Sequence, residues 1–177
     1  GDVYKRQEYY TDRAQHQSTR ASRARRVRLD GMTTINAITQ ADFDEWSGLW
    51  RGYLTFYGTQ LSDEITADTF RRLVEDGELH GAVARDDAGR AIGIVHWLTH
   101  PATWSRSAYC YLEDLYVDTA SRGSGTGRLL IAHVRGWAAE HGCEKVYWLT
   151  QETNMTARAL YDSVATHTGY THYQIAL

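Results

Sequence analysis

Three alternating glycines, Gly123, Gly125 and Gly127, lie between a strand-like run and a helix-like run of the chain. A strand that passes directly into a helix presents unpaired backbone N–H groups at the positive end of the helix dipole, which forms an anion site. Glycine lets a ligand approach closely because it has no Cβ atom, and it accepts positive φ angles. The segment RGSGTG therefore predicts a phosphate site, against the alternative of a tight turn with a packing glycine.

Phosphate-binding loops differ in the residues that surround their glycines. A Walker loop needs Lys and Ser/Thr after its last glycine, whereas Gly127 is followed by Arg128 and Leu129. A dinucleotide loop needs G-x-G-x-x-G early in a βαβ unit and an acidic residue at the end of the next strand. Here the spacing is G-x-G-x-G, and Glu144 begins that strand. A loop for the pyrophosphate of coenzyme A is the third design and has neither conflict.

Hydrophobic periodicity predicts the elements around this loop. Apolar residues three and four apart predict helices, and β-branched or aromatic runs between turn residues predict strands. The predicted strands cover 33–39, 78–86, 90–100, 107–117, 144–150 and 170–177, and the predicted helices cover 40–58, 62–77, 129–142 and 154–169. This order, β-α-α-β-β-β-α-β-α-β, predicts an α/β fold with a mixed sheet and helices on both faces.

The charge of the chain is unevenly distributed. Residues 1–30 contain eight Lys/Arg and four Asp/Glu, a net charge of +4, so residues 31–177 carry 11 minus 18, or −7. Residues 1–31 are polar and rich in Arg, Gln and Ser, which predicts a disordered basic tail, a tag or a read-through remnant. A tail that binds nucleic acid or an anionic membrane is the alternative. We expect one globular domain over residues 32–177 and no nucleic-acid partner.

No metal site, membrane segment or disulfide is expected. His96 and His100 are four residues apart, so on a strand they would lie on one face about 13 Å apart, too far to share a metal ion. No apolar run approaches the roughly 18 residues that cross a bilayer, and no signal peptide is evident, so we expect a cytoplasmic protein. Cys110 and Cys143 are too few for a disulfide framework and are expected to be buried free thiols.

The glycine segment resembles a known family. RGSGTG is similar to the Arg/Gln-x-x-Gly-x-Gly/Ala loop of the GNAT acetyltransferases, within that family's order of strand, loop, helix, strand and helix. LEDLYV and NMTARALYDSVATHTGYTHY look like the histone and polyamine acetyltransferase-like branch. The resemblance is specific over 108–177 and looser over 32–107. It implies the GNAT acyl-CoA N-acyltransferase fold with a mostly antiparallel central sheet, acetyl-CoA as cosubstrate, and a homodimer.

The resemblance also implies a role for each residue that matches a motif. The pyrophosphate would be held by the backbone amides of Arg122, Gly123, Ser124, Gly125, Thr126 and Gly127. The side chains of Arg122 and Arg128 would add positive charge. Leu115, Tyr116 and Val117 would pair, like a strand, with the pantetheine amides. Asn154 would contact the cofactor arm or order a water, besides being a candidate helix N-cap. Tyr161 would lie beside the sulfur as the general acid.

Acetyl transfer to an amine requires a free lone pair, a donor for the developing oxyanion and a proton for the departing thiolate. An alkyl ammonium with a pKa of about 10.4 must therefore lose a proton. By resemblance to polyamine acetyltransferases the base is Glu113, provided that burial raises its pKa or a water chain relays the proton. Neighbouring strand residues face opposite sides, so only one of Glu113 and Asp114 is expected to face the cleft directly. Solvated or helix-capping carboxylates are the alternative for this pair.

Aromatic residues of the first predicted helix are candidates for the acceptor site, although such a stripe is also typical of a core. We name Trp50, Tyr53, Tyr57 and Asp114 as acceptor-binding residues. The acidic domain favours a cationic small-molecule amine, and polyamines, aminoglycosides, amino acids and basic peptides all remain open. The expected activity is N-acetylation of a primary amine in a ternary complex. A non-catalytic acyl-CoA-binding module on the same fold is the main alternative.

Overall fold

A five-stranded sheet in the order β1-β2-β3-β4-β5 forms the centre of the domain. The computed structural model describes residues 32–75 and 77–177, so the expectations for residues 1–31 lie outside the described residues. The strands are β1 (Thr34–Ala37), β2 (Leu79–Arg85), β3 (Ala91–His100), β4 (Tyr109–Val117) and β5 (Val146–Tyr147). The first four pair antiparallel in succession, and β5 pairs parallel to β4.

Four helices cover the two faces of this sheet. They are α1 (Phe43–Phe56), α2 (Asp63–Glu75), α3 (Thr126–Glu140) and α4 (Met155–Val164), with short 3₁₀ turns at Gln40–Asp42 and Thr119–Ser121. Within the part of the chain that is described, no helix combines the length and apolar character needed to cross a bilayer. The predicted mixed α/β architecture, with helices on both sides of a central sheet, is confirmed.

Alternation along the strands divides the core into two layers. Ala82 and Val95 contribute to a cluster with Leu130 of α3, whereas Val83 and Ile94 pack with the helices α1 and α2. Successive side chains of a strand point to opposite faces, so one strand supplies both clusters. Burial of these side chains from two sides holds the sheet between its helices.

The last part of the chain differs from the sequence prediction. Residues 170–177 form no strand, and Tyr173, Ile175 and Leu177 are exposed. A strand needs a partner for its backbone and a surface for its apolar side chains, and neither lies beside this segment among the described residues. The strand predicted at 144–150 is reduced to the two paired residues of β5, and the helix predicted at 154–169 ends at Val164.

Gly52 lets helix α1 lie directly against the side chain of Tyr116. A Cβ atom at position 52 would lie 2.6 Å from the Tyr116 hydroxyl oxygen and 2.8 Å from Cζ, which is closer than van der Waals contact allows. Gly48, one turn earlier in the same helix, has open space around the same position. The two glycines therefore differ in packing while sharing a helical backbone.

Gly52→Ala is expected to destabilise the protein by roughly 1–3 kcal/mol, because the Tyr116 ring must shift. Gly48→Ala is the matched control and is expected to be neutral or to stabilise by up to about 1 kcal/mol through helix propensity. Urea unfolding of both variants measures the difference. Equal effects of the two substitutions would contradict the close packing of Gly52 on Tyr116.

A cluster of imidazole and indole rings lies between the sheet and α3. The His80 ring lies 4.4 Å from Trp137 and 5.7 Å from Trp97, and His133 lies 5.8 Å from Trp97, all between ring centroids. Burial lowers the pKa of His80, with His141 as a second cause, and burial also lowers the pKa of His133. Both rings are therefore easier to protonate in the unfolded chain than in the folded protein.

The free energy of unfolding is expected to fall as pH drops below the ordinary histidine pKa of about 6.5, because only the unfolded chain then gains these protons readily. Urea unfolding at about pH 7.5 and about pH 5.5 measures the fall. The double variant His80→Gln/His133→Gln should lose less stability over this interval than the wild type. His172→Gln, in the exposed C-terminal segment, is the control and should keep the wild-type slope.

Candidate active site

The candidate site begins where strands β4 and β5 separate. The two strands pair at Cys110 with Val146 and at Tyr111 with Tyr147, and the described register goes no further. From Leu112 to Val117, β4 continues to pair with β3 on its other side. The edge of β4 that faces away from β3 therefore has no strand partner beyond Tyr111 among the described residues. The predicted pairing of Leu115, Tyr116 and Val117 with an extended ligand requires such an edge.

The glycine loop lies at the end of β4 and begins α3. Gly123 and Gly125 have φ angles of 80° and 88°, in the left-handed region, and there is open space where a Cβ atom would stand at each. Gly125 is the N-cap of α3, and no side chain caps it. The first amide N–H groups of a helix have no intrahelical acceptor, so these groups are available to an anion.

Gly127 has a different structural role from the two glycines before it. A Cβ atom at this position would lie 3.1 Å from Cδ2 of Leu160 and 3.9 Å from side-chain atoms of Leu115 and Val117. This glycine therefore allows α4 and β4 to approach the first turn of α3. Close packing, rather than a positive φ angle, accounts for the third glycine.

Hydrogen bonds within the loop hold its shape. The Ser124 hydroxyl donates to the carbonyl of Ser121 at 2.7 Å and lies 2.8 Å from the hydroxyl of Thr126, which is almost fully buried. Asp118 accepts a hydrogen bond from the backbone N–H of Ala120. The side chains of Ser124 and Thr126 are therefore used inside the loop, and its backbone faces the open side.

The two arginines that flank the loop also bind to the protein itself. Nε of Arg122 donates to the Val117 carbonyl at 3.2 Å, and its guanidinium lies 5.8 Å from the ring centroid of Phe56 and 5.7 Å from that of Tyr116. Arg128 donates from Nη2 to the Ser163 hydroxyl at 2.8 Å. Arg122 thus ties the loop to α1, and Arg128 ties α3 to α4, while both keep positive charge near the loop.

A β-bulge interrupts the alternation of β4 at the two carboxylates. His96 pairs with Asp114 and Trp97 pairs with Leu112, so Glu113 is left without a cross-strand partner. Burial raises the pKa of Tyr53 most, and the charges of Asp114 and, to a smaller extent, Glu113 raise it further. The expectation of opposite faces depends on regular alternation, which an extra residue in a strand removes, and both carboxylates act on the same phenol.

The Glu113 side chain is exposed on one side, yet partial desolvation by the surrounding protein raises its pKa, and the charge of Asp114 raises this pKa further. Burial followed by the charge of Glu113 raises the pKa of Tyr111 to about 12. Two carboxylates and several phenols thus share one corner of the site. Such a corner attracts cations and disfavours the approach of anions.

The aromatic stripe of α1 is divided between core and site. Trp46 is fully buried, and Trp50 is 6% exposed, with an indole N–H that has no partner among the described residues. The stack continues from Trp50 to Tyr53 at 5.2 Å and from Tyr53 to Tyr57 at 5.0 Å between centroids. The two tyrosines at the C-terminal end of the stripe reach solvent on the side of the site, and Phe43 reaches it at the opposite end.

Tyr161 packs against the core cluster on the α3 side of the sheet. Burial raises its pKa to about 12, and an electrostatic interaction with Tyr57 is the second cause. Its ring meets Trp148 edge to face at 5.3 Å. The phenol is therefore protonated at neutral pH, and so is Tyr57, whose own pKa is raised by burial and then by Asp114.

Asn154 begins the helix that carries Tyr161. Its side-chain oxygen accepts a hydrogen bond from the backbone N–H of Ala157 at 3.3 Å, as expected of an N-cap. Its amide group also lies 3.5 Å from the hydroxyl of Thr150. In this arrangement Asn154 orients α4 at the side of the open β4 edge.

His96 is a member of the site that the motifs of the sequence do not indicate. Its spacing from His100 bears only on a metal site, and no cluster of three or more His, Cys, Asp or Glu side chains suited to a metal occurs in the described ranges. The structure instead places Nδ1 of His96 3.0 Å from Oδ2 of Asp114. The available signal was a titratable residue inside the apolar run AIGIVHWL.

The sequence profile of the acetyltransferase (GNAT) family matches residues 36–165. The chain belongs to this family. The chain is 37% identical over 142 residues to a D-amino-acid N-acetyltransferase of Saccharomyces cerevisiae. This match covers 79% of the chain and 88% of the yeast protein. The chain is 29% identical over 102 residues to a thialysine N-epsilon-acetyltransferase of Caenorhabditis elegans, over 56% of this chain and 61% of that protein.

Solved structures share the fold of this GNAT protein. An aminoglycoside N-acetyltransferase in complex with CoA has a TM-score of 0.72 at 18% identity, over 89% of this chain and 99% of that chain. The same enzyme in complex with a bisubstrate analogue has a TM-score of 0.73 at 19% identity, over 82% and 99%. The protein is thus an acetyltransferase of the GNAT type, and acetyl-CoA as its cosubstrate is consistent with the open β4 edge and the free loop amides.

Gly125→Val is expected to weaken acetyl-CoA binding by about tenfold or more, because it places a branched side chain beside the free amides and strains a left-handed backbone. Isothermal titration calorimetry measures the dissociation constant. Gly142→Val is the matched control, since Gly142 also has a positive φ of 69° and open space but follows the other end of α3. Equal affinities of the two variants would contradict phosphate binding at this loop.

Proposed function

We propose that the protein transfers the acetyl group of acetyl-CoA to the primary amine of a small cationic acceptor, by direct attack in a ternary complex. One observation carries the proposal: the β4 bulge places Glu113 and Asp114 at the open edge of the strand, beside the paired phenols Tyr53 and Tyr57. These groups lie along the open edge of β4, at whose end the glycine loop begins. An ammonium group and an extended thioester ligand would meet at this corner.

The loop residues Arg122 to Gly127 bind the pyrophosphate through backbone amides in this proposal. Arg122 and Arg128 contribute positive charge, and each keeps guanidinium N–H groups beyond the one that binds Val117 or Ser163. The backbone of the segment Leu115, Tyr116 and Val117 holds the pantetheine amides along the open edge, apart from the Val117 carbonyl that Arg122 already binds. Asn154 acts by orienting α4 rather than through a new contact of its capping oxygen.

Glu113 accepts the proton of the acceptor ammonium, directly or through a water. Its raised pKa narrows the gap to an amine of pKa about 10.4 and makes the carboxylate a stronger base than an exposed glutamate. Asp114 binds the same ammonium as a fixed negative charge. The partly exposed rings of Tyr53 and Tyr57 line the acceptor side, and buried Trp50 supports them from behind.

Tyr161 acts as the general acid for the departing thiolate. A phenol with a pKa of about 12 remains protonated across the range in which the amine loses its proton. Its O–H group can therefore donate to the negative charge that develops on a sulfur whose thiol pKa is about 8.5. The edge-to-face contact with Trp148 fixes the ring.

Amino acids are the first acceptors to test, because the relative that is 37% identical is a D-amino-acid N-acetyltransferase. Thialysine follows from the Caenorhabditis elegans relative, and polyamines and aminoglycosides follow from the net charge of −7 on residues 31–177. The polyamine acetyltransferase-like branch, a homodimer and a cytoplasmic location stay predictions.

A thiol-release assay tests the proposed activity. Purified protein is incubated with acetyl-CoA and with D-lysine, D-phenylalanine, thialysine, spermidine or neamine, and free CoA is measured with a thiol reagent. Amine-dependent release supports acetyl transfer. Acetyl-CoA binding without release in the presence of any amine of the panel would instead support a non-catalytic acyl-CoA-binding module.

Tyr161→Phe is expected to lower kcat by about tenfold or more while the acetyl-CoA dissociation constant stays unchanged, because only the donated proton is lost. Steady-state kinetics and calorimetry measure the two quantities. Tyr170→Phe removes a phenol from the exposed C-terminal segment and should leave both quantities at their wild-type values. Normal turnover of the Tyr161 variant would exclude the general-acid role.

A further inference from the structure

A buried hydrogen-bonded chain lies behind the acceptor side of the site and links α1, β3 and β4. Nε1–H of Trp46 donates to Nε2 of His96 at 2.9 Å, and Nδ1 of His96 lies 3.0 Å from Oδ2 of Asp114. Trp46 is fully buried and His96 is 4% exposed, so neither side chain can touch an acceptor. The Asp114 side chain is 14% exposed, so its carboxylate is the end of the chain that reaches the site.

The bond from Trp46 determines which nitrogen of His96 carries the proton. An indole N–H can only donate, so Nε2 of His96 must keep its lone pair to accept. A neutral imidazole with a free Nε2 carries its proton on Nδ1, and this N–H then donates to Asp114. The indole thus orients the ring and selects the tautomer that the carboxylate needs.

His96 holds the Asp114 carboxylate. Nδ1–H of His96 donates to Oδ2, and the Tyr53 hydroxyl lies close enough for Asp114 to raise its pKa. His96 and Asp114 are also cross-strand partners at the point where the register slips and leaves Glu113 unpaired. A carboxylate has lone pairs for about four hydrogen bonds, so the fixed donor of His96 orients it and leaves acceptor capacity for a ligand.

We propose that His96 is a positioning residue for the amine acceptor: held by Trp46, it orients Asp114 so that the carboxylate receives the acceptor ammonium beside Glu113. The inference rests on the proposed function. His96 transfers no proton and contacts no substrate in this role. Its effect reaches the acceptor through one hydrogen bond to Asp114 and leaves the glycine loop untouched.

Two amide substitutions separate positioning from simple core packing. In His96→Asn the amide N–H group can occupy the place of Nδ1 and donate to Asp114, while the bond from Trp46 is lost. In His96→Gln the amide oxygen can occupy the place of Nε2 and accept from Trp46, while the short-range donor to Asp114 is lost. If His96 acts by positioning Asp114, His96→Asn should bind the acceptor better than His96→Gln. If His96 serves only to satisfy the buried Trp46 N–H, His96→Gln should be the better replacement.

Kinetics with the fastest amine of the panel provides the test. His96→Gln is expected to raise the acceptor KM by about tenfold or more, as loss of a hydrogen bond to a charged group does, with kcat and the acetyl-CoA dissociation constant nearly unchanged. His96→Asn should stay within about threefold of the wild-type KM. An acceptor KM that rises equally in both variants, or that follows their melting temperatures, would overturn the proposal.

Two further measurements do not require turnover. In ¹⁵N NMR of the imidazole, Nδ1 should be protonated and Nε2 should not, and the opposite tautomer would overturn the proposal. Amine affinity of the CoA complex, measured by calorimetry, should fall in His96→Gln and recover in His96→Asn. If the amine affinities of the wild type and the two variants followed this order but the wild type released no CoA, the proposed function would fail while the positioning role held. Equal amine affinities of His96→Gln and His96→Asn would reject the positioning role itself.

Discussion

The early separation of β5 from β4 is the constraint on which the site depends. Once pairing ends at Tyr111 and Tyr147, the rest of β4 has a partner on one side only. Backbone amides and carbonyls need partners when they are buried, so an unpaired edge inside a fold is normally covered. Here the edge leads directly to the glycine loop, so the groups that can receive an extended ligand and those that can receive an anion follow each other along the chain.

The packing around this edge keeps it rigid without filling it. Gly127 lets α4 approach α3, and Gly52 lets α1 lie on Tyr116. Arg122, between Phe56 and Tyr116, joins the loop to the end of α1. Because these contacts are made within the protein, the loop need not be ordered by its ligand, and little conformational entropy is lost on binding. The side chains of the motif thus shape the loop, and its backbone amides at the start of α3 are left without intrahelical acceptors, as the proposed pyrophosphate binding requires.

The electrostatics of the acceptor corner follow from the same bulge. Two adjacent carboxylates repel each other, so their proximity requires compensation from neighbouring donors. His96 supplies one donor to Asp114, and the tyrosines beside the pair remain protonated because burial and negative charge both raise their pKa values. A corner with fixed negative charge and neutral phenols offers an ammonium group both a counter-charge and aromatic surfaces.

The sequence by itself determined most of the elements, their order up to α4 and the family, because these depend on local patterns. Periodicity located the four helices and the first four strands, and the glycines marked a loop in which two positions need positive φ angles. Recognition of Glu113, Asp114 and Tyr161 as candidates also came from local motifs. These motifs did not determine which other side chains the three residues would contact.

Only the tertiary structure decided which of these residues lie together. The bulge depends on pairing between β3 and β4, the Trp46–His96 bond joins residues 50 positions apart, and the length of β5 depends on where two strands diverge. The exposed residues 170–177 show the same limit, because alternation makes a strand possible but a partner makes it form. Contacts between distant segments are set by the packing of the whole domain, and local sequence patterns do not predict them.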